Sequence, residues 1–365
     1  MRPSILHVVP SGAPNPLLLG TVRDVDADFA IGAWGSEESD LWQACEDRGI
    51  PFIELGKSGN VLQMAYALRC AIRLLKPDVV EAHTLRPSVC VATLATMMNT
   101  RPAMLAVRHH NLNHHLQRNR TAQWADRFVN SRADGVVAVS YAVRGTCIAE
   151  GLDPDRCHVA LNGLDLEHLV SRSSAGIDFR RRAQYLLLAV GRIDWQKDYP
   201  TMLRSLAHLV SRGVDAELAI LGSGLPGYES EMINLSDQLA LKERVHWMGW
   251  QSNVPAWMHS ADLFVHSAAD EAHPLALIEV LASGLPVVAT AAGGSREVVQ
   301  PFYEPVQSGD PVAFADEIEN NLQNLSERRI YAASICDRAI RRFAPRPMAE
   351  AHLAACHAVL LTRSP

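Results

Sequence analysis

The stretch Asp270–Thr290, DEAHPLALIEVLASGLPVVAT, carries two carboxylates, Glu271 and Glu279, eight residues apart. The apolar run before it ends near Ser267, so Glu271 falls in a loop. Pro274 suits a first helical turn, where it has no intrahelical N–H bond to lose, and Gly284 suits the cap at the far end. Glu279 then lies about one and a half turns into the helix, and both carboxylates can face one ligand. A carboxylate accepts two hydrogen bonds and suits sugar hydroxyls, while the free N–H groups of a helix start favour an anion such as phosphate. The same spacing also fits Glu271 as a helix cap and Glu279 on a solvated face. A second stretch, Leu188–Lys197 (LAVGRIDWQK), sets Arg192 and Lys197 just past a buried strand. Two fixed cations there could hold a diphosphate and stabilise it as it leaves; the alternative is two ordinary surface bases.

Other motifs carry less. Gly222, Gly224 and Gly227 match GxGxxG after a strand. A dinucleotide site also needs an acid after the next strand, and Val245–Met248 runs into Gly249-Trp250-Gln251. The DxD pattern within Asp24–Asp28 reads as a polar loop. His109, His110, His114 and His115 include an i, i+4 pair, but no acid or cysteine stands among them, so no metal site is expected there. Arg108–Arg132 holds five arginines, with Asp126 as its one acid. That segment reads as a solvated face or as a surface for anionic lipid headgroups or a charged acceptor.

The elements around these residues alternate. Apolar runs at Ile5–Val9, Val79–Ala82, Ala103–Val107, Gly135–Val139 and His158–Leu161 read as strands, with a helix over Gln123–Arg132. Residues 166–184 break the rhythm with small polar residues and Arg180-Arg181-Arg182. Strands then resume at Tyr185–Val190, Ala216–Leu221, Val245–Met248, Leu263–Ser267 and Pro286–Thr290, separated by helices over Thr201–Ser211, Glu229–Leu239 and Pro274–Ser283. Alternation of this kind predicts βαβ units and parallel sheets: two doubly wound α/β domains. Ligands of such folds sit outside the carboxyl ends of strands, which points to a cleft between the domains. The 365 residues suit two domains. A net charge of −6 argues against general nucleic-acid binding. Seven cysteines without a CxxC pair predict reduced thiols and a cytoplasmic setting. The apolar start is too short for a signal-peptide core, and no run approaches the ~20 apolar residues of a membrane span.

VGRIDWQK, LAILGSG and the E-x7-E block running into ASGLPVVAT-x-x-GGSREVV resemble the C-terminal half of retaining family 4 glycosyltransferases of the GT-B fold. KPDVVEAHTLRPS, AVRHHN, ADGVVAVSYAVR and VALNGLD resemble its N-terminal half, in the same order. The resemblance implies an acceptor-side Rossmann-like domain over 1–168, a linker over 169–184, a nucleotide-sugar domain over 185–340, and a helical segment over 341–365 that crosses back. It implies that Arg192 and Lys197 bind the diphosphate, Glu279 the ribose and Glu271 the donor sugar. By the same resemblance, His109 approaches that sugar from the other domain, and the N–H groups of Leu275 and Ala276 meet the phosphate or sugar. The nucleobase would lie near Trp250 and Gln251, with the Gly222 turn and His273 beside the donor.

The implied reaction moves a sugar from a UDP- or GDP-linked donor to a lipid-linked or small-molecule acceptor, with retention and without metal or cofactor. Peripheral contact with the inner face of a membrane fits that reading. Two alternative readings fit the same sequence: a nucleotide-sugar epimerase of the same fold, and a catalytically silent nucleotide-sugar-binding protein. The chain departs from the pattern in its first βα unit, where Pro10–Gly20 replaces a Gly-rich turn, and in Ala272-His273, where Gly-Phe is usual.

Overall fold

A computed structural model describes residues 2–13, 15–22, 25–35, 39–57, 59–98, 100–170, 177–224 and 226–363. Asp24 of the DxD pattern, Leu225 of the GxGxxG turn and the 171–176 part of the expected linker lie outside them. The chain divides into two compact units, Met1–Leu164 with Phe343–Pro365, and Asp165–Arg342. The C-terminal helix Pro345–Leu361 thus belongs to the first unit, and the short helix Glu167–Val170 to the second.

The first unit has seven strands: β1 (Ser4–Val9), β2 (Asp28–Ala33), β3 (Phe52–Glu54), β4 (Val79–His83), β5 (Ala103–Arg108), β6 (Gly135–Ala138) and β7 (Cys157–Val159). They form one parallel sheet in the order β3-β2-β1-β4-β5-β6-β7. β4, β5 and β6 are buried along their whole length, as expected of parallel strands covered on both faces. β2 and β3 were not among the expected strands. The helix of the first βα unit spans only Pro16–Thr21, capped by the Asn15 side chain.

The second unit has five parallel strands: β8 (Tyr185–Val190), β9 (Ala216–Leu221), β10 (Val245–Gly249), β11 (Leu263–His266) and β12 (Val287–Ala289), in the order β10-β9-β8-β11-β12. Its core gathers Leu187, Leu203, Leu206, Leu218, Ile220 and Phe314, all at most 1% exposed. Strand order reverses between β1 and β4 in the first sheet and between β8 and β11 in the second. These are the switch points at which doubly wound sheets receive ligands. Among the described residues, no helix is long and apolar enough to cross a membrane.

Candidate active site

The loops leaving β8 and β11 meet at the second unit's switch point. After β8, Asp194 caps the short 3₁₀ turn Trp195–Lys197 by accepting from the Gln196 N–H, and Asp198 caps the helix Tyr199–Ser211. These caps fix the backbone that carries Lys197. The β11 loop is tied to it: the Ala269 N–H donates to the Gln196 carbonyl at 2.8 Å, and the Ser267 hydroxyl to the Lys197 carbonyl at 2.8 Å.

Lys197 Nζ forms an ion pair with Glu271 Oε1. His266 Nε2 lies 3.5 Å from the same oxygen. Burial, with the Lys197 charge adding to it, holds His266 well below the usual imidazole range, so it stays neutral. Glu271 therefore does not cap the helix Leu275–Ser283, whose first turn has no side-chain cap. The N–H groups of Leu275 and Ala276 are left for a ligand or water. Glu279 is half-buried, and among the described residues it has no hydrogen-bond or ion-pair partner. Burial pushes its carboxyl up to about 7. A desolvated carboxylate without a partner is costly unless a ligand satisfies it, so the solvated-face alternative does not describe Glu279. Gly284 ends the helix in the left-handed conformation, φ 78°.

Two glycines let the loops close up. A Cβ on Gly222, in the turn after β9, would lie 2.0 Å from the Gly191 carbonyl oxygen. One on Gly294 would lie 1.7 Å from that of Ala272. The Gly294 N–H also donates to the Glu271 carbonyl at 2.8 Å. Arg192 is mostly exposed and near Asp194, Nη2 to Oδ2 3.2 Å, so its guanidinium is only loosely held. Trp250 is exposed, and the Gln251 amide donates to the Met248 carbonyl at 2.8 Å. His273 is buried, and burial, followed by the Arg342 charge, brings it down to about 3. His266 and Gly294 were not singled out from the sequence. His266 reads there as one more strand residue, and Gly294 as part of a common Gly-Gly turn.

His109 belongs to the first unit, following β5. His83 Nδ1 lies 3.2 Å from its Nε2, and burial brings His109 down to about 4. His110, His114 and His115 follow in the same segment. No acid stands among these histidines in sequence, yet Asp126, from the helix Arg120–Arg132, lies 3.0 Å from His110 Nε2 and 2.7 Å from His114 Nδ1. Their ligand atoms lie close enough together for a cation. However, Arg108 Nη2 is 3.6 Å from the same carboxylate, a charge that disfavours one. His115 meets Glu150 in the same way at 2.7 Å.

Two parallel α/β sheets of this topology, each with a switch point, define the GT-B fold. The family model for glycosyl transferases group 1 matches residues 178–334, and that for glycosyltransferase family 4 matches residues 26–168. The chain belongs to the group 1 glycosyl transferases. It is 31% identical over 208 residues to a D-inositol 3-phosphate glycosyltransferase of Xylanimonas cellulosilytica, covering 53% of this chain and 49% of that one. It is 30% identical over 148 residues to the N-acetylgalactosamine-N,N'-diacetylbacillosaminyl-diphospho-undecaprenol 4-alpha-N-acetylgalactosaminyltransferase of Campylobacter jejuni, covering 40% and 38%. The chain thus spans about half or less of the length of these relatives. In fold it resembles Anabaena HepE, solved with UDP and glucose, at 20% identity and a TM-score of 0.79 over 98% of this chain and 100% of that one.

Proposed function

We propose that this chain is a retaining, metal-independent glycosyltransferase that moves a sugar from a nucleotide-diphosphate donor to an acceptor hydroxyl. The observation that carries this reading is the β8/β11 switch point, where Lys197 pairs with Glu271 in the loops and Glu279, about one turn into the helix Leu275–Ser283, has no partner among the described residues. Glu279 takes the ribose hydroxyls. Lys197 and Arg192 take the diphosphate, together with the N–H groups of Leu275 and Ala276. Glu271 takes the donor sugar, and His109 is assigned to that sugar as well. The Gly222 turn and His273 shape the donor pocket, and the base stacks near Trp250 and Gln251.

Glu271 is already neutralised by Lys197, which suits it to accept hydroxyl protons in hydrogen bonds rather than to attack carbon. A front-side displacement fits better. The acceptor oxygen bonds to the anomeric carbon as the bond to the diphosphate breaks, and the leaving phosphate oxygen takes the acceptor proton. Lys197 and Arg192 stabilise the negative charge that develops, the work a metal does elsewhere.

The acceptor is read as lipid-linked, and the setting as cytoplasmic, at the inner face of a membrane. The Campylobacter relative's name carries a diphospho-undecaprenol acceptor. Exposed Leu112, Leu116 and Trp124 stand on the Arg108–Arg132 segment among exposed Arg118, Arg120 and Arg127, an apolar and basic mixture suited to anionic headgroups.

The test is turnover of UDP- and GDP-linked sugars in excess EDTA, with the product anomer read by NMR. Retention without metal is expected. Lys197→Ala should lower kcat at saturating donor by about 10²–10³, the usual size for one lost electrostatic donor. Inversion, loss of activity in EDTA with rescue by Mn²⁺, or binding without turnover across a broad acceptor panel would each overturn the proposal.

A further inference from the structure

The β1/β4 switch point of the first unit holds a buried polar cluster. His7 of β1 and Glu81 of β4 are register partners in adjacent strands, and His83 follows Glu81 by two residues on the same face. His352 comes from the C-terminal helix. All four are 4% exposed or less. His352 Nδ1 bonds to Glu81 Oε1 at 2.5 Å, and His7 Nδ1 lies 3.4 Å from Glu81 Oε2. From there a line of rings leads outward: His7 Nδ1 to His83 Nε2 at 3.1 Å, then His83 Nδ1 to His109 Nε2 at 3.2 Å.

The direction of this line follows from proton counting. Burial holds His7 and His109 down at about 4 and His83 well below the usual range, so each ring is neutral and carries one proton. Burial alone would raise Glu81, but the charge and hydrogen bond of His352 bring it below its ordinary value, and it is a carboxylate.

Two facts place the His7 proton. A lone pair on Nδ1 would face the Glu81 carboxylate at 3.4 Å, whereas an N–H dipole there is attracted to it, even though Glu81 Oε2 makes no hydrogen bond among the described residues. His7 Nε2 is buried with no hydrogen-bond partner among the described residues, and an orphaned buried N–H costs more than an orphaned lone pair. Both put the proton on Nδ1. His83 Nε2 must then accept, since two N–H groups cannot face each other, so the His83 proton sits on Nδ1. That N–H donates to His109 Nε2, which leaves the His109 proton on Nδ1 as well.

We propose that Glu81, held by His352, is a positioning residue that sets the direction of a His7–His83–His109 hydrogen-bond chain and fixes His109 as its Nδ1–H tautomer. His109 Nε2 is then occupied, so the ring offers a ligand a donor and no base. A sugar oxygen acting as acceptor, hydroxyl or carboxylate, fits it. This last step rests on the proposed function; the tautomer does not.

The test is a long-range ¹H–¹⁵N spectrum of the full chain labelled with ¹⁵N-histidine at neutral pH, with the His109 signal assigned by its loss in His109→Asn. The expected result is Nδ1 protonation of His7, His83 and His109, although free neutral imidazole favours Nε2–H. In Glu81→Gln the amide can donate to His7 Nδ1, the chain can reverse, and the His109 signal should shift to the Nε2–H form. An Nε2–H or imidazolium His109 in the unaltered chain overturns the proposal. So does a folded Glu81→Gln protein with unchanged tautomers. So does stoichiometric metal in the purified chain, because the ligand atoms of His7, Glu81 and His83 lie within 4.8 Å of one another and could hold a cation instead. Should Glu81→Gln not fold, the spectrum of the unaltered chain decides. None of these readouts requires sugar transfer.

Discussion

Glu279 is the residue at which stability and binding pull apart. Its carboxyl ionises near 4.5 in an unfolded chain and near 7 in the folded one. The folded state therefore holds a proton that the unfolded state has released. The resulting stabilisation is complete below about 4.5 and is lost as pH rises through about 7. Glu279→Gln removes this dependence. Unfolding by denaturant at pH 5 and pH 8 should show the unaltered chain losing up to about 3 kcal/mol more than the variant over that range. Calorimetry should show the same variant binding UDP more weakly, by about 1.5–3 kcal/mol for a lost charged hydrogen bond. A variant less stable than its parent at pH 8, or one that binds UDP equally well, would sink the assignment. The sequence already displayed the two glutamates, the two cations and their places relative to the strands, because strand ends and helix caps leave local signals. It did not display Asp126 against His110 and His114, or His266 beside Glu271. Those contacts join residues whose separation along the chain carries no pattern.

At the scale of elements, the donor site depends on loops packed backbone to backbone. Gly294 opens the helix Gly294–Val299 with its Cα against the Ala272 carbonyl. Gly294→Ala must push the 271–273 loop away, displacing Glu271 and the start of the helix Leu275–Ser283. A protein that folds, with a melting temperature lowered by several degrees and donor binding reduced at least tenfold, is expected; backbone strain of this kind costs of order 1–3 kcal/mol. Gly227 is the control. It lies in the helix Pro226–Gln238 with nothing within 4 Å of an added Cβ, so Gly227→Ala should be neutral or mildly stabilising. Thermal unfolding and UDP titration of the two variants check this, and equal behaviour would refute it. The buried central strands were legible because they are short apolar runs ahead of helical patterns. β2 and β3 were not. β2, Asp28–Ala33, mixes an acid and a glycine into its run, and β3 is a three-residue edge strand with no buried position. Pairing of β2 with β1, and of β3 with β2, supplies what local preference lacks.

At the scale of the whole molecule, the C-terminal helix is far in sequence from the unit it completes. Phe343, Met348, Ala349, His352, Ala355, Cys356 and Val359 are all buried. The Phe343 carbonyl accepts from the Leu164 N–H at 2.8 Å, and Arg363 Nη1 meets Asp134 at 2.9 Å. Ending the chain at Arg342 removes these contacts and leaves Glu81 buried without His352. Each large apolar side chain lost costs about 1.5–3 kcal/mol, and an uncompensated buried carboxylate adds several more. Together these exceed much of the stability of an ordinary domain. The residues assigned to the nucleotide lie between Arg192 and Glu279, inside the second unit, and keep their own core. The truncated chain should therefore lose its first unit, seen as extra hydrogen exchange over β1–β7, while UDP still protects residues 191–197 and 271–279. Raising UDP should shift only the melting transition of the second unit, since a ligand stabilises what binds it. Protection of β1–β7 unchanged by the truncation would show that the helix is dispensable. Loss of UDP protection at 191–197 would show that the donor site needs the first unit intact.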